Sequence, residues 1–216
     1  MNRIFVDVDV QRDFCEPDGA LYVPGSPNDV FRRLVSYAVA SRIPILGSVD
    51  SHAWDAWEFG SSGRSGPSGE QPKFPDHCVK GTSGWLKVEG TLPPRFRFIP
   101  NVAEAPVEHI VEELLRSETQ GVYFEKEVYS MFANPLAERF VRKLVDHLGP
   151  ETELILFGVA TDYCVRAAAL GLASRGYRTT LVTDAIAGIT NEGVAEAFQE
   201  MTNARVRFQT SAEICR

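Results

Sequence analysis

The sequence predicts an α/β protein of three layers, with helices on both faces of a mostly parallel central sheet. Three observations carry this prediction. Strand and helix signals alternate along the chain, β-branched runs giving way to segments with apolar residues at helical spacing. Three of the runs end at chemistry-bearing residues: Arg3 to Gln11 closes on Asp9, Gly121 to Lys126 on an amine, and Glu153 to Phe157 leads into Cys164. At 216 residues the chain is long enough to bury the substantial core of one domain, 1–216, and it shows no internal repeat.

The elements follow in order. Arg3 to Gln11 is the first strand, and Asp7 is a charge inside it; either a basic residue pairs with Asp7 or the strand is less buried than its neighbours. Ser26-Pro27 supplies a cap and a first-turn proline for a helix of about Asn28 to Ser41. Ile43 to Val49 is the second strand. From Asp50 to Pro94 no segment is periodic, and Gly, Ser and Pro concentrate at 60–69, which predicts a long loop with a mobile tip. Arg95 to Ile99 is a short extra strand. Val107 to Ser117 is helical by its Ile110, Val111, Leu114, Leu115 stripe. No function attaches to 95–117. After the strand ending at Lys126, Asn134-Pro135 opens a helix that turns Leu136, Phe140, Leu144 and Leu148 toward the sheet. Gly158 then breaks the run Glu153 to Phe157, and a helix begins at Cys164 and continues through Arg175. Tyr177 to Thr183, Asn191 to Thr202 and Ala204 to Gln209 complete the alternation.

Composition narrows the function classes. A net charge of -7 argues against a nucleic-acid surface, which needs a basic stripe. Four cysteines, at 15, 78, 164 and 215, lack metal-type Cys-x-x-Cys spacing and do not suggest a disulfide framework, so a reducing cytoplasm is the expected compartment. Asp7 and Asp9 stand where a signal peptide has its apolar core, and no run approaches the roughly 18 apolar residues of a membrane span.

Cys164 lies in the strand-to-helix stretch Phe157-Gly158-Val159-Ala160-Thr161-Asp162-Tyr163-Cys164-Val165-Arg166. At a helix N-terminus the free amides and the dipole favour a thiolate, which predicts a thiol pKa below its free value of roughly 8.5. The same amides suit a developing oxyanion. Ligands of open α/β sheets bind outside the carboxyl ends of the strands, so Asp9, Lys126 and Cys164 converge there from distant parts of the chain. A carboxylate to take a proton, an ammonium to hold a thiolate, and a thiol beside backbone donors form a constellation for nucleophilic amide cleavage.

With these residues the chain resembles the isochorismatase-like cysteine hydrolases, and among them the nicotinamidases. The matching segments are Asp9-Val10-Gln11-Arg12-Asp13-Phe14, Asp50-Ser51-His52, Phe74 to Thr82, Lys126, and Gly158 to Val165, in the family's order and over most of the chain. The resemblance implies the isochorismatase-like hydrolase fold and a catalytic triad of Asp9, Lys126 and Cys164. It also implies a non-proline cis peptide between Val159 and Ala160 that aims the Ala160 and Cys164 amides at the oxyanion.

A divalent metal site is implied as well, with Asp50, His52 and His77 as ligands and Glu58 as a candidate fourth where some relatives carry a histidine. Oxygen and imidazole donors suit Zn foremost, then Fe or Mn. The loop of about 50–94 becomes the metal and substrate loop. Phe14, Phe74, Tyr129 and Phe132 are candidate walls of a substrate pocket, with core packing as the alternative for each. Trp54, Trp57 and Trp85 either shield the site or make a subunit contact, which leaves a homo-oligomer open. The expected activity is hydrolysis of nicotinamide or a close heteroaromatic carboxamide through a thioester, with a small-molecule amide as substrate and neither nucleic acid nor membrane as partner. The competing readings are an N-carbamoyl or ureido amidohydrolase of the same superfamily, a catalytically silent metal-binding module, and a thiol redox protein.

Overall fold

Apolar side chains on both faces put the first strand in the middle of the sheet. In the computed structural model, which describes residues 2–216, β1 (Arg3–Val8) sends Ile4, Val6 and Val8 into one hydrophobic core and Phe5 into the other. Beside it lie β2 (Ile45–Asp50) and β5 (Glu153–Val159), both buried throughout. Among the described residues seven strands form one sheet in the order β3-β4-β2-β1-β5-β6-β7, completed by β3 (Phe96–Ile99), β4 (Gly121–Lys126), β6 (Arg178–Ala187) and β7 (Arg207–Gln209). Every neighbouring pair is parallel.

Two layers of helix cover the sheet. The core containing Ile4, Val6 and Val8 is closed by α3 (Val107–Leu115), α4 (Ala137–Leu148), α5 (Arg166–Ser174) and α6 (Asn191–Asn203). On the opposite face α2 (Asn28–Ala40) packs Phe31, Leu34, Val35 and Ala38 against Phe5 and Phe157, flanked by the short α1 (Arg12–Cys15) and α7 (Ser211–Ile214). The expected three-layer architecture is thus present, with a wholly parallel sheet. Chain order reverses beside β1: β2 and β4 lie on one side, β5 and β6 on the other. That leaves a crevice at the carboxyl ends of β1 and β5.

Gly158 differs from its sequence reading. It does not end the strand; β5 runs through it to Val159. With φ at 130°, a Cβ there would sit 2.0 Å from the Val8 carbonyl oxygen, so glycine is required by the close approach of β1. Cys164 differs too. It lies in a five-residue π-helical turn, Thr161–Val165, ahead of α5.

The segment between β2 and β3 contains no strand or helix among the described residues and is held by isolated bridges, His52 with Val79, Phe59 with Phe74, and Gln11 with Lys87. Asp7 finds its basic residue here: Lys87 Nζ donates to Asp7 Oδ1 at 2.5 Å, both side chains being buried. Burial drives the Asp7 pKa up to about 6 against the pull of Lys87. The first strand is therefore buried from Ile4 onward, and its charge is matched from the long loop. Among the described residues no helix is long and apolar enough to cross a membrane.

Candidate active site

The strand ends deliver three charged side chains to one point. Asp9 follows β1 in a left-handed turn, φ 50°, a conformation that aspartate tolerates better than most residues. Asp50 and Lys126 are the last residues of β2 and β4 and register partners in the parallel ladder. Lys126 is fully buried; its Nζ lies 2.8 Å from Asp9 Oδ2, donates to Cys164 Sγ at 3.6 Å, and pairs with Asp50 Oδ1. Ser48 donates to Asp9 Oδ1 at 2.7 Å and fixes the carboxylate. Asp9 Oδ2 makes no directional hydrogen bond despite its contact with Lys126, which leaves it a lone pair for a thiol proton.

The electrostatics reverse one expectation. Burial, aided by Asp9 and Asp50, pushes the Cys164 thiol well above its ordinary range, and Lys126 offsets this only in part. A thiol whose pKa is raised in this way needs a base to become a nucleophile. Asp9 suits that role, because burial and the nearby Asp50 raise its carboxyl above the usual carboxylate range despite Lys126. Burial works against Lys126 as well, but Asp50, Asp9 and Cys164 together hold it protonated. For Asp50 burial opposes ionisation, yet Lys126 and His52 hold its carboxyl below the usual range.

A second donor set shares Asp50. The ligand atoms of Asp50, His52 and His77 lie within 4.8 Å of one another. His52 Nε2 is 3.7 Å and His77 Nε2 3.9 Å from Asp50 Oδ2. Glu58 Oε1 joins them at 3.0 Å from His52 Nε2 and 3.6 Å from His77 Nε2. The fit to a metal is supported by two features. His77 Nδ1 is tied to the Pro75 carbonyl oxygen at 2.8 Å, an arrangement that leaves the Nε2 lone pair facing the other donors. His52 Nε2 is buried without a hydrogen-bond partner, as an imidazole nitrogen reserved for an ion would be. Two imidazoles and two carboxylates suit Zn, Fe or Mn.

Both sets open into one cavity of about 450 Å³, mouth included, which Cys164, Ala160, Asp50, His52, His77 and Glu58 help to line. Of the four predicted aromatic walls, Phe14, Phe74 and Tyr129 line it. Phe132 does not. Its half-buried ring packs against the core beside α5, with the Arg175 guanidinium 3.8 Å from the ring centroid, because the single turn Met131–Ala133 points it at Gly171. The tryptophans separate: Trp54 is on the surface, Trp57 walls a neighbouring cavity, and Trp85 donates to Ser51 Oγ at 3.1 Å.

Several supporting residues escaped the sequence reading. Gln11 grips the Asp50 backbone from both sides, accepting from its N–H at 2.8 Å and donating to its carbonyl oxygen at 2.9 Å. Asp13 accepts from the Cys78 N–H at 2.7 Å and so anchors the turn after His77. Asp162 accepts from the N–H groups of Ile189 and Thr190 at 3.0 and 3.1 Å, tying the cysteine turn to a wall of the cavity. Gln11, Asp13 and Asp162 lie inside the quoted motifs, which was the available signal. Ser48 had none. The peptide between Val159 and Ala160 is cis, as the resemblance implied.

The family model for the isochorismatase domain matches residues 3–213. The nicotinamidase of Escherichia coli (strain K12) is 31% identical over 224 residues, covering 98% of this chain and 96% of that one. The nicotinamidase/pyrazinamidase of Mycobacterium tuberculosis (strain ATCC 25618 / H37Rv) is 27% identical over 97% of this chain and 100% of its own. Among solved structures, the pyrazinamidase of Pyrococcus horikoshii in complex with zinc is similar at a TM-score of 0.70 and 25% identity, covering 97% of this chain and 99% of that one.

Proposed function

This chain belongs to the isochorismatase family and is an amidohydrolase, and on that basis we propose that it is a metal-dependent nicotinamidase, converting nicotinamide or a close heteroaromatic carboxamide to the acid and ammonia. The observation that carries the proposal is the position of Lys126 Nζ, in contact with Asp9, Asp50 and Cys164, where Asp50 and Cys164 line the same cavity as the His52, His77 and Glu58 donors.

In this mechanism Asp9 takes the proton of the Cys164 thiol while Lys126 compensates the negative charge. The sulfur attacks the carboxamide carbon, and the Ala160 and Cys164 amides receive the oxyanion. Asp9 returns its proton to the leaving nitrogen, the C–N bond breaks, and ammonia departs from a thioester. Water, giving a proton to Asp9, adds to the thioester; collapse releases the carboxylic acid and restores the thiol. Asp50, His52 and His77, with Glu58 as the fourth donor, would hold the divalent ion. When bound, it supplies a Lewis-acid contact for the ring nitrogen and orients the substrate. Zinc is favoured, since the Pyrococcus horikoshii relative is in complex with that ion. A cytoplasmic role in recycling nicotinamide belongs to the same reading.

The test is ammonia release from a panel of amides by purified protein, with metal content measured on the same sample. Preference for nicotinamide together with about one bound metal per chain is the outcome expected from a single four-donor site. Preference for N-carbamoyl or ureido substrates would move the assignment to another amidase of the family.

A further inference from the structure

We infer that Glu125 is a positioning residue for the metal site: from the reverse side of the strand ends it holds, through Ser51 and Lys80, the two segments that carry His52 and His77, and so sets the affinity of the donor set for its ion. The inference rests on the metal-binding reading of Asp50, His52, His77 and Glu58, and extends it to side chains outside the cavity lining.

Alternation along extended backbone sends neighbouring side chains to opposite faces. Asp50 and His52 turn to the cavity, and Ser51 between them turns away. Lys126 turns to Cys164, and Glu125 before it turns away. The Ser51 N–H donates to the Lys126 carbonyl oxygen at 2.8 Å, so the ladder between β2 and β4 runs one residue beyond Asp50. That extra bond brings the reverse-facing pair together, and Ser51 Oγ donates to Glu125 Oε2 at 3.2 Å.

The buried Glu125 carboxylate also accepts from Lys80 Nζ with both oxygens, at 3.0 and 2.7 Å. Burying an ionised carboxylate is unfavourable unless it is paired and hydrogen-bonded, and Glu125 is both. Lys80 follows His77 by three residues. Its N–H donates to the His52 carbonyl oxygen at 2.9 Å, and the His52 N–H donates to the Cys78 carbonyl oxygen at 3.1 Å, so the two histidine segments are zipped together by backbone. The Lys80 side chain then fastens the end of that zipper to β4. Trp85 Nε1 donates to Ser51 Oγ at 3.1 Å and its carbonyl oxygen accepts from Gln11 Nε2 at 2.9 Å, the same nitrogen that donates to the Asp50 carbonyl oxygen. One continuous network thus reaches the backbone on either side of Ser51 and the turn after His77. The His77 ring is fixed locally by the Pro75 carbonyl oxygen, whereas His52 presents its unpartnered Nε2 from the backbone that Glu125 anchors.

The test titrates the chelated, metal-free enzyme with zinc alone and then measures nicotinamide turnover of the zinc-loaded form. Glu125→Leu keeps the volume and removes both acceptors; it should raise the zinc Kd about tenfold or more, as loss of a group supporting a metal ligand does. KM for nicotinamide should rise several-fold while kcat stays within about twofold of wild type, since the thiol, Asp9 and Lys126 are untouched. Glu125→Gln still accepts from Ser51 and should recover most of the affinity. Ser51→Ala removes a single hydroxyl, so it folds even where Glu125→Leu does not, and it should move Kd in the same direction. An unchanged zinc Kd with a lower melting temperature of the metal-free enzyme would make the network merely structural and overturn the inference, as would a loss in kcat with KM unmoved. A wild type that hydrolyses nicotinamide but binds no zinc overturns the metal reading itself and this inference with it.

Discussion

Asp50 and Lys126 stand in register at the carboxyl ends of β2 and β4, and their buried ion pair joins the thiol to the imidazole cluster. One oxygen of Asp50 meets Lys126 Nζ while the other faces His52 and His77, so a single carboxylate belongs to both donor sets. A change in one set is therefore felt by the other.

Removing the nucleophile should leave the fold and abolish the chemistry. Cys164→Ala replaces one small side chain by another and should lower kcat by about 10⁴-fold or more, with Cys164→Ser nearly as poor. Intact-mass analysis with an electrophilic substrate analogue should place a single adduct on Cys164. Cys15 and Cys78 are also buried, and burial holds both thiols protonated, Cys15 up to about 12. Steady-state turnover near wild type in Cys164→Ala would refute the covalent route.

Asp9→Asn and Lys126→Met should each lower kcat sharply, and the double variant should be little worse than the worse single, because in the proposed mechanism the two groups serve the same proton transfer. Additive losses would assign them to separate steps. On the proposed mechanism the acidic limb of the kcat/KM profile should report Asp9, Asp50 and Lys126 titrating together. With the Asp9 carboxyl raised by burial and Asp50, activity should fall with decreasing pH above the usual carboxylate range of about 4.

If the donors of Asp50, His52 and His77 serve the substrate, nicotinamide should exceed benzamide in kcat/KM by about tenfold or more, since only nicotinamide has a ring nitrogen to offer. Chelation or His52→Ala should collapse that ratio. A purely structural ion predicts a lower melting temperature with both activities falling in parallel.

The Asp7–Lys87 pair concerns stability. Lys87→Met strands a buried carboxylate and should cost about 3–5 kcal/mol, whereas Asp7→Val with Lys87→Leu should be close to neutral. The folded pKa of Asp7, about 6, lies above the ordinary 3.8, so the folded state binds its proton more tightly. Its contribution is complete below about 3.8 and declines as pH rises through about 6. Urea midpoints of wild type and Asp7→Asn should therefore diverge against the wild type between those pH values. A pH-independent difference would show that Asp7 does not titrate in that window.

The catalytic candidates were legible because each ends an apolar run. Asp9 and Lys126 are polar residues where β-branched strands stop, and parallel topology brings such ends together whatever their separation in sequence. The partner of Asp7 was not legible. Lys87 is 80 residues away in a segment without periodicity, and only the folded loop brings it under the sheet. Phe132 was misplaced for a related reason: its neighbours in sequence suggest the pocket, but one turn of helix aims the ring at α5.

The alternation of apolar runs and helical stripes determined the three-layer fold, and the motifs around Asp9, Asp50, His77, Lys126 and Cys164 named the candidate residues that the fold brings together. Tertiary structure alone decided their chemistry. A helix N-terminus would lower the pKa of an exposed thiol, but Cys164 is buried beside two carboxylates, and desolvation with like charge raises it instead. Order along the chain specifies which groups arrive at a strand end; the dielectric and the charges they meet depend on every segment that packs around them.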